Sequence, residues 1–220
     1  MKAYLVLFFP LLFFASCFEV VEELDLKTNA SGTFTYTINM SQSKLELNTA
    51  LKLDTFMGVN IPTEGDVRMD MERARKVVSS TNGISKATYS VDFENYIFIY
   101  KIQFDSLAAL NSALENAYDA LNKKGNRVLK DRLLMPRNVL TRESNLDSLG
   151  LFNKLNSKKK GSLKDATYTC VYRFESAVES VSNKNARTSK NGKAVMLRSS
   201  FKSLLNNEST LRNNITLSKQ

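Results

Sequence analysis

Two periodicities take turns along the chain from about residue 19. The run "TFTYTINM" (33–40) puts Phe34, Tyr36, Ile38 and Met40 on one face and Thr33, Thr35, Thr37 and Asn39 on the other. This is the period of a half-buried strand. "EVVEELDL" (19–26) alternates less cleanly through Val20, Glu22 and Leu24, and the turn-forming "KTNASG" between the two predicts a hairpin with one buried face. The period then becomes helical. Ser43 and Glu46 have capping-box spacing, Leu47, Ala50, Leu51 and Met57 share a face, and Gly58 stands where that helix should stop. A second helix follows Pro62 and Thr63, with Val67, Met71, Ala74 and Val78 at helical spacing and Gly83 closing it.

The same order then repeats. "ISKATYSVDF" and "NYIFIYKIQF" read as a second hairpin, and Asp105 or Ser106 caps a third helix. Its apolar stripe is Leu107, Leu110, Leu114, Ala117, Tyr118 and Leu121, and Gly125 ends it. Regularity weakens from Lys124 to Asp165, where an irregular basic connection is expected, with "NSKKKGSLKD" as an exposed loop. Strand character returns in "ATYTCVYRFE" (166–175). "AVMLRSSF" fits a strand, yet Leu197, Phe201 and Leu204 also fit a helix; "NITLS" (214–218) reads as a last short strand. The predicted fold class is α+β: an antiparallel sheet built from two hairpin-plus-helix units and C-terminal strands, with helices mainly on one face. Residues 17–123, 124–165 and 166–220 are read as one domain, and the apolar stripes as its core.

The first 16 residues have a different character. Lys2 is followed by the apolar run Ala3 to Phe14, the layout of a secretory signal peptide. As a membrane span the stretch is short, since about 20 residues are needed to cross the hydrocarbon. Phe14, Ala15 and Ser16 precede Cys17, and this resembles a bacterial lipobox, with Phe14 where Leu is usual. The resemblance implies a diacylglyceryl group on Cys17, cleavage before it, and acylation of the new amino terminus; several acyl chains give durable anchoring. The competing reading pairs Cys17 with Cys170, the only other cysteine. With Cys17 lipidated, Cys170, between Tyr168 and Tyr172 in an alternating strand, reads as a small buried hydrophobe.

Composition narrows the chemistry. The chain contains no histidine, which removes Ser-His-Asp and Cys-His catalysis, histidine metal sites and the usual general base near neutral pH. No Gly-rich phosphate loop, CxxC pair or acidic calcium loop is present. The expectation is a protein that is not an enzyme, with no catalytic residues, no cofactor and no metal. Charge is uneven: the net charge of +9 divides into −5 over residues 17–123 and +13 over residues 124–220, with Lys2 supplying the rest. A basic C-terminal part points to an anionic partner, and Lys158, Lys159, Lys160, Lys184, Arg187, Lys190 and Lys193 are the candidate contacts. The alternative is a solvated, partly flexible basic surface. Nucleic acid suits the charge but not an export signal.

Several segments together resemble the LppM-like bacterial lipoproteins. Cys17 opens the mature chain, "LDLKTNASGTFTYTINM" resembles their first hairpin, and "GISKATYSVDFENYIFIYKIQFDSLAALNSAL" their Gly-led hairpin and following helix. "ESAVESVSNKNARTSKNGKAVMLRSS" resembles their segment of Val, Ser-Asn turn, Asn-Gly turn and strand. Ser176-Ala177 stands where the family has Pro-Gly, and the family's frequent tryptophan is absent. The resemblance implies an envelope-tethered α+β domain that touches lipid or glycolipid, and it carries over no catalytic residue. Phe18 after the lipidated cysteine suggests, by analogy with sorting rules, the outer membrane. Two functions are therefore expected: a membrane-tethered binding module for lipid, glycolipid or an anionic membrane surface, or a structural partner of an envelope protein complex. A deep apolar cavity would favour lipid, a shallow one a protein partner.

Overall fold

The computed structural model describes residues 18–51, 55–56, 59–60, 62–121, 132–143, 165–206 and 208–219. The fold is α+β. Strands β1 (Glu19–Leu26) and β2 (Gly32–Asn39) form the first predicted hairpin, paired from Glu19–Asn39 to Leu26–Gly32. Glycine is required at position 32 because a Cβ there would lie 2.2 Å from the Asp25 carbonyl oxygen. After β2 comes a short helix, α1 (Lys44–Ala50), then the two-residue strands β3 (Thr55–Phe56) and β4 (Val59–Asn60), which pair antiparallel. The expected continuation of the helix toward Gly58 is thus replaced by a small ribbon, consistent with the β-branched and aromatic residues at 55, 56 and 59. Ser43 stands at the N-cap of α1 without a side-chain capping bond. The full capping box forms one helix later: in α2 (Glu64–Ser79) the Thr63 hydroxyl accepts from the Asp66 amide at 3.1 Å, and the Asp66 carboxylate accepts from the Thr63 amide at 3.0 Å.

The second hairpin, β5 (Ile84–Asp92) with β6 (Ile97–Phe104), and the helix after it, α3 (Leu107–Leu121), fall where the periodicity put them. The Ser106 hydroxyl caps α3 by accepting from the Ala109 amide at 3.2 Å. β6 pairs with β2, joining the hairpins into one sheet. Within the stretch expected to be irregular, residues 132–143 form a third hairpin, β7 (Arg132–Leu134) and β8 (Val139–Glu143), turned through the left-handed residues Arg137 and Asn138. Of the "NSKKKGSLKD" loop, all but its last residue, Asp165, lies outside the described residues.

β9 (Thr167–Phe174) lies against β1 and runs parallel to it, a departure from an all-antiparallel sheet. β2 already occupies one edge of β1, and the chain reaches the other only after a long crossover, the connection that parallel pairing needs. β10 (Val178–Val181), β11 (Arg187–Thr188), β12 (Ala194–Ser200), the short α4 (Phe201–Leu205) and β13 (Asn213–Leu217) complete the described chain. Strand and helix both hold for "AVMLRSSF", in succession, with Ser200 ending β12 and capping α4.

Seven strands form one sheet in the order β11-β12-β9-β1-β2-β6-β5, and four form another, β10-β13-β8-β7. The inner face of the large sheet carries Val20, Leu24, Leu26, Phe34, Ile102, Phe104, Tyr168, Cys170, Tyr172, Phe174, Val195 and Leu197, all buried. Two different layers cover it. Helices α2 and α3 pack over the β5–β6 side, and the four-stranded sheet, through Leu133, Leu140, Ile215 and Leu217, closes the same core. The helices lie on one face of the sheet, as expected, and a second sheet supplies the rest of the cover. The outer face is mostly polar, through Glu19, Glu23, Asp25, Thr33, Thr35, Thr37, Lys101, Arg173 and Arg198.

Candidate functional site

The two ends of the large sheet differ. The row Glu19, Asn39, Ile97 and Asp92, continued by Thr167 and Ser200, is where the chain enters the domain. Phe18, the residue just before β1, is already held there. Its carbonyl accepts from the Thr167 amide at 3.0 Å, and its ring packs on Phe201 with centroids 5.0 Å apart, while Phe201 packs on Tyr168 at 5.9 Å. Cys17 lies outside the described residues, but the chain is fixed one residue after it. This is the entry end of the domain. The row Leu26, Gly32, Phe104 and Ile84, with Phe174 on the other side, marks the far end.

Of the seven predicted basic contacts, Lys158, Lys159 and Lys160 lie outside the described residues. The other four are all exposed and lie along one edge of the large sheet. Arg187 is on the edge strand β11, opposite Met196, and Lys184 is in the loop before it. Lys190 and Lys193 belong to the turn between β11 and β12. That turn is tied by its own bonds: the Asn191 carboxamide accepts from Ser189 Oγ at 2.6 Å and from the Lys193 amide at 3.1 Å, and Gly192 takes a left-handed φ of 69°. The Lys193 carbonyl accepts from the Phe174 amide at 2.9 Å, which fixes this turn at the far end of the sheet.

A small pocket opens beside it. Leu26, Phe174 and Leu217 form its floor, and Lys27, Thr28, Asn138 and Glu175 stand on its rim; its volume is about 90 Å³. The Glu175 carboxylate accepts from the Thr28 amide at 2.9 Å and from the Thr28 hydroxyl at 3.2 Å. These bonds, with weaker help from Lys27 and Lys193, hold it below the usual carboxylate range. The pocket is shallow and polar-rimmed, and would admit a small group but no acyl chain.

The most unusual chemistry is inside the core. Glu22 takes an inward position on β1, and Arg142 takes one on β8 of the facing sheet; both are buried. The guanidinium donates to Glu22 Oε1 and, at 2.6 Å, to the Tyr172 hydroxyl. Tyr172 donates to Glu22 Oε1 at 2.9 Å, and Tyr168 donates to Oε2 at 2.8 Å, with the Arg142 guanidinium 5.8 Å from the Tyr168 ring centre. Burial alone would depress the arginine, but the groups facing it, the Glu22 carboxylate among them, outweigh it and hold Arg142 well above its ordinary value. Burial, and after it the Glu22 charge at Tyr168, pushes both tyrosines well up, so they remain neutral donors. The cluster ties the two sheets together and is sealed from solvent. Cys170, fully buried in the same layer, fits its reading as a small core residue. The sequence signal for this cluster was Glu22, a carboxylate on the apolar face of an alternating strand; nothing in the sequence pointed to Arg142.

No family model matches the chain, and no curated protein matches it. Among solved structures, the chain is similar to the folded domain of LppM from Mycobacterium tuberculosis, determined by NMR. The sequence identity is 11% and the TM-score 0.48, over 92% of this chain and 91% of that one.

Proposed function

We propose that this protein is a non-enzymatic binding module of the cell envelope, tethered through Cys17, whose basic edge engages an anionic surface other than the leaflet holding its own anchor. The observation that carries this is the position of Lys190 and Lys193. Their turn bonds to Phe174, seven residues along β9 from Thr167, which pairs with Glu19 in the entry row. At roughly 3.3 Å per residue that is about 23 Å from the place where the chain enters. A membrane surface potential decays over about 8 Å at physiological salt, so these cations stand beyond the reach of a membrane at the entry end.

Turning the domain onto its basic edge does not bring both groups to one surface. β1 lies three strands in from β11, about 14 Å at ~4.8 Å per strand. The chain from Cys17 to Glu19 spans at most about 7 Å. The polar cluster around Glu22 is closed inside the core, so the proposed contact draws on the exposed edge and not on it. A second reading of the same edge is docking onto an acidic face of an envelope protein.

A chain starting at residue 18 retains every described element and is the protein to use. It should sediment with vesicles containing anionic lipid, less so as salt rises, and not with zwitterionic ones. Reversing Lys184, Arg187, Lys190 and Lys193 to Glu should remove the binding, since each basic residue near such a surface contributes up to about 1 kcal/mol. Binding that ignores lipid charge and salt overturns the proposal. Absence of vesicle binding, with charge-dependent binding to an acidic protein, moves the assignment to the second reading.

A further inference from the structure

The entry end carries an exposed apolar surface. Leu45 and Leu51, in and just after α1, are 63% and 46% exposed, and Met69 on α2 is 52% exposed. Their helices both reach the β5–β6 turn, which belongs to the entry row. The Tyr96 hydroxyl in that turn donates to Asn48 of α1, and the Met40 amide donates to the Tyr96 carbonyl at 3.0 Å. Arg68, the neighbour of Met69, lies over the Phe93 ring of the same turn at 4.9 Å. Tyr96 takes a left-handed φ of 55°, so the turn presents its ring to α1 through a conformation that a tyrosine seldom adopts.

We propose that this end of the domain rests on the bilayer, with Leu45, Leu51 and Met69 entering the interface beside the anchor. The occupant follows from where the chain leads. Phe18 is fixed in the fold, Cys17 comes next, and the apolar run Ala3–Phe14 precedes it. A membrane holding this segment, through lipid on Cys17 or through the run itself, begins within a few ångströms of the row that supports the three side chains. An amphipathic surface helix places its apolar side chains about 5–10 Å into the headgroup boundary, and a short helix beside a covalent anchor needs little affinity of its own. Leucine and methionine side chains exposed on one end of a domain, with no charge among the three, suit hydrocarbon rather than an anionic polymer. Contact here would set the domain upright and hold the Lys190–Lys193 turn away from the membrane.

The inference rests on the tethered reading, and the test separates the two. The chain contains no tryptophan, so a single introduced one reports without background. A chain starting at Cys17, with Leu45→Trp, is coupled through that thiol to a maleimide lipid in neutral phosphatidylcholine vesicles; Cys170 is buried and does not compete. Coupling supplies the anchor whether or not the cell does, and neutral lipid removes the electrostatic contribution. The expected result is a blue-shifted emission quenched by brominated acyl chains, matched by Leu51→Trp. Met196→Trp, on the outer face of the large sheet and 41% exposed, should remain unquenched. Equal quenching at 45 and 196, or none at 45 and 51, overturns the proposal. A blue shift that depends on protein concentration without lipid also overturns it, in favour of a second copy of the chain. All three sites are exposed, and unchanged circular dichroism verifies the fold. Natural anchoring is tested apart, by the fractionation of Cys17→Ala.

Discussion

Replacing Arg142 with Met should be among the most damaging single changes in this protein. The substitution keeps the aliphatic volume and removes the guanidinium, leaving the Glu22 carboxylate in the core with only the Tyr168 and Tyr172 hydroxyls. Breaking a buried pair from one side costs about 3–5 kcal/mol, because the remaining charge stays desolvated. For a domain of this size each kcal/mol moves Tm by about 2–4 °C, so a fall of roughly 6–20 °C is expected. Removing both charges, as Glu22→Leu with Arg142→Met, strands no charge and lifts that part of the cost. It should still fall short of wild type, because two buried tyrosine hydroxyls lose their acceptor at about 1–3 kcal/mol each. Adding Tyr168→Phe and Tyr172→Phe should recover most of that loss. Urea denaturation followed by circular dichroism gives the four free energies. A cost below about 1 kcal/mol for Arg142→Met, or a quadruple variant no more stable than the single one, would refute the view that this pair joins the two sheets as a buried unit.

Gly83 should not tolerate Ala: its φ is +82°, and a Cβ would lie 2.7 Å from the Ala109 side chain of α3, so thermal denaturation should show a loss of at least about 1 kcal/mol. Thr63→Ala should lower stability by about 1 kcal/mol in the same assay, through loss of the α2 capping box, with no effect on vesicle binding. Cys17→Ala should release the protein from the membrane fraction or leave it uncleaved; a cleaved product that still fractionates with membranes would sink the anchor.

Much of the fold was legible because its elements are long and carry one clear period. β2, α2, α3 and β9 each place most of their apolar residues on a single face for two turns or several residue pairs, and the structure turns those faces to the core, although Leu121 at the end of α3 is 42% exposed. Of the second sheet only β13 was legible, as "NITLS"; its other strands are short and their patterns brief, and "RLL" at β7 and "VESV" at β10 offer too few positions to establish a period. β8 hides its character further by placing Arg142 at an inward position. α1 was overextended because Met57 fits a helical face by spacing alone, while the β-formers around it decided the local structure. The polar cluster was half visible. Glu22 interrupts an apolar face, which demands a partner, but that partner lies 120 residues away on another sheet. For the basic edge, the sequence named the residues but not their direction. That depends on β11 being the outermost strand and on its turn sitting at the end opposite Phe18.

The separation of anchor and basic turn can be measured directly. Chains coupled through Cys17 to neutral vesicles are mixed with free anionic vesicles, and clustering is followed by light scattering. If Lys190 and Lys193 face away from the anchoring membrane, the anionic vesicles should be captured. Capture should weaken with salt and disappear when both lysines are changed to Glu. No clustering, together with protection of Lys190 and Lys193 from acetylation once anionic lipid is placed in the anchoring membrane itself, would show the basic edge lying on its own leaflet and contradict the account.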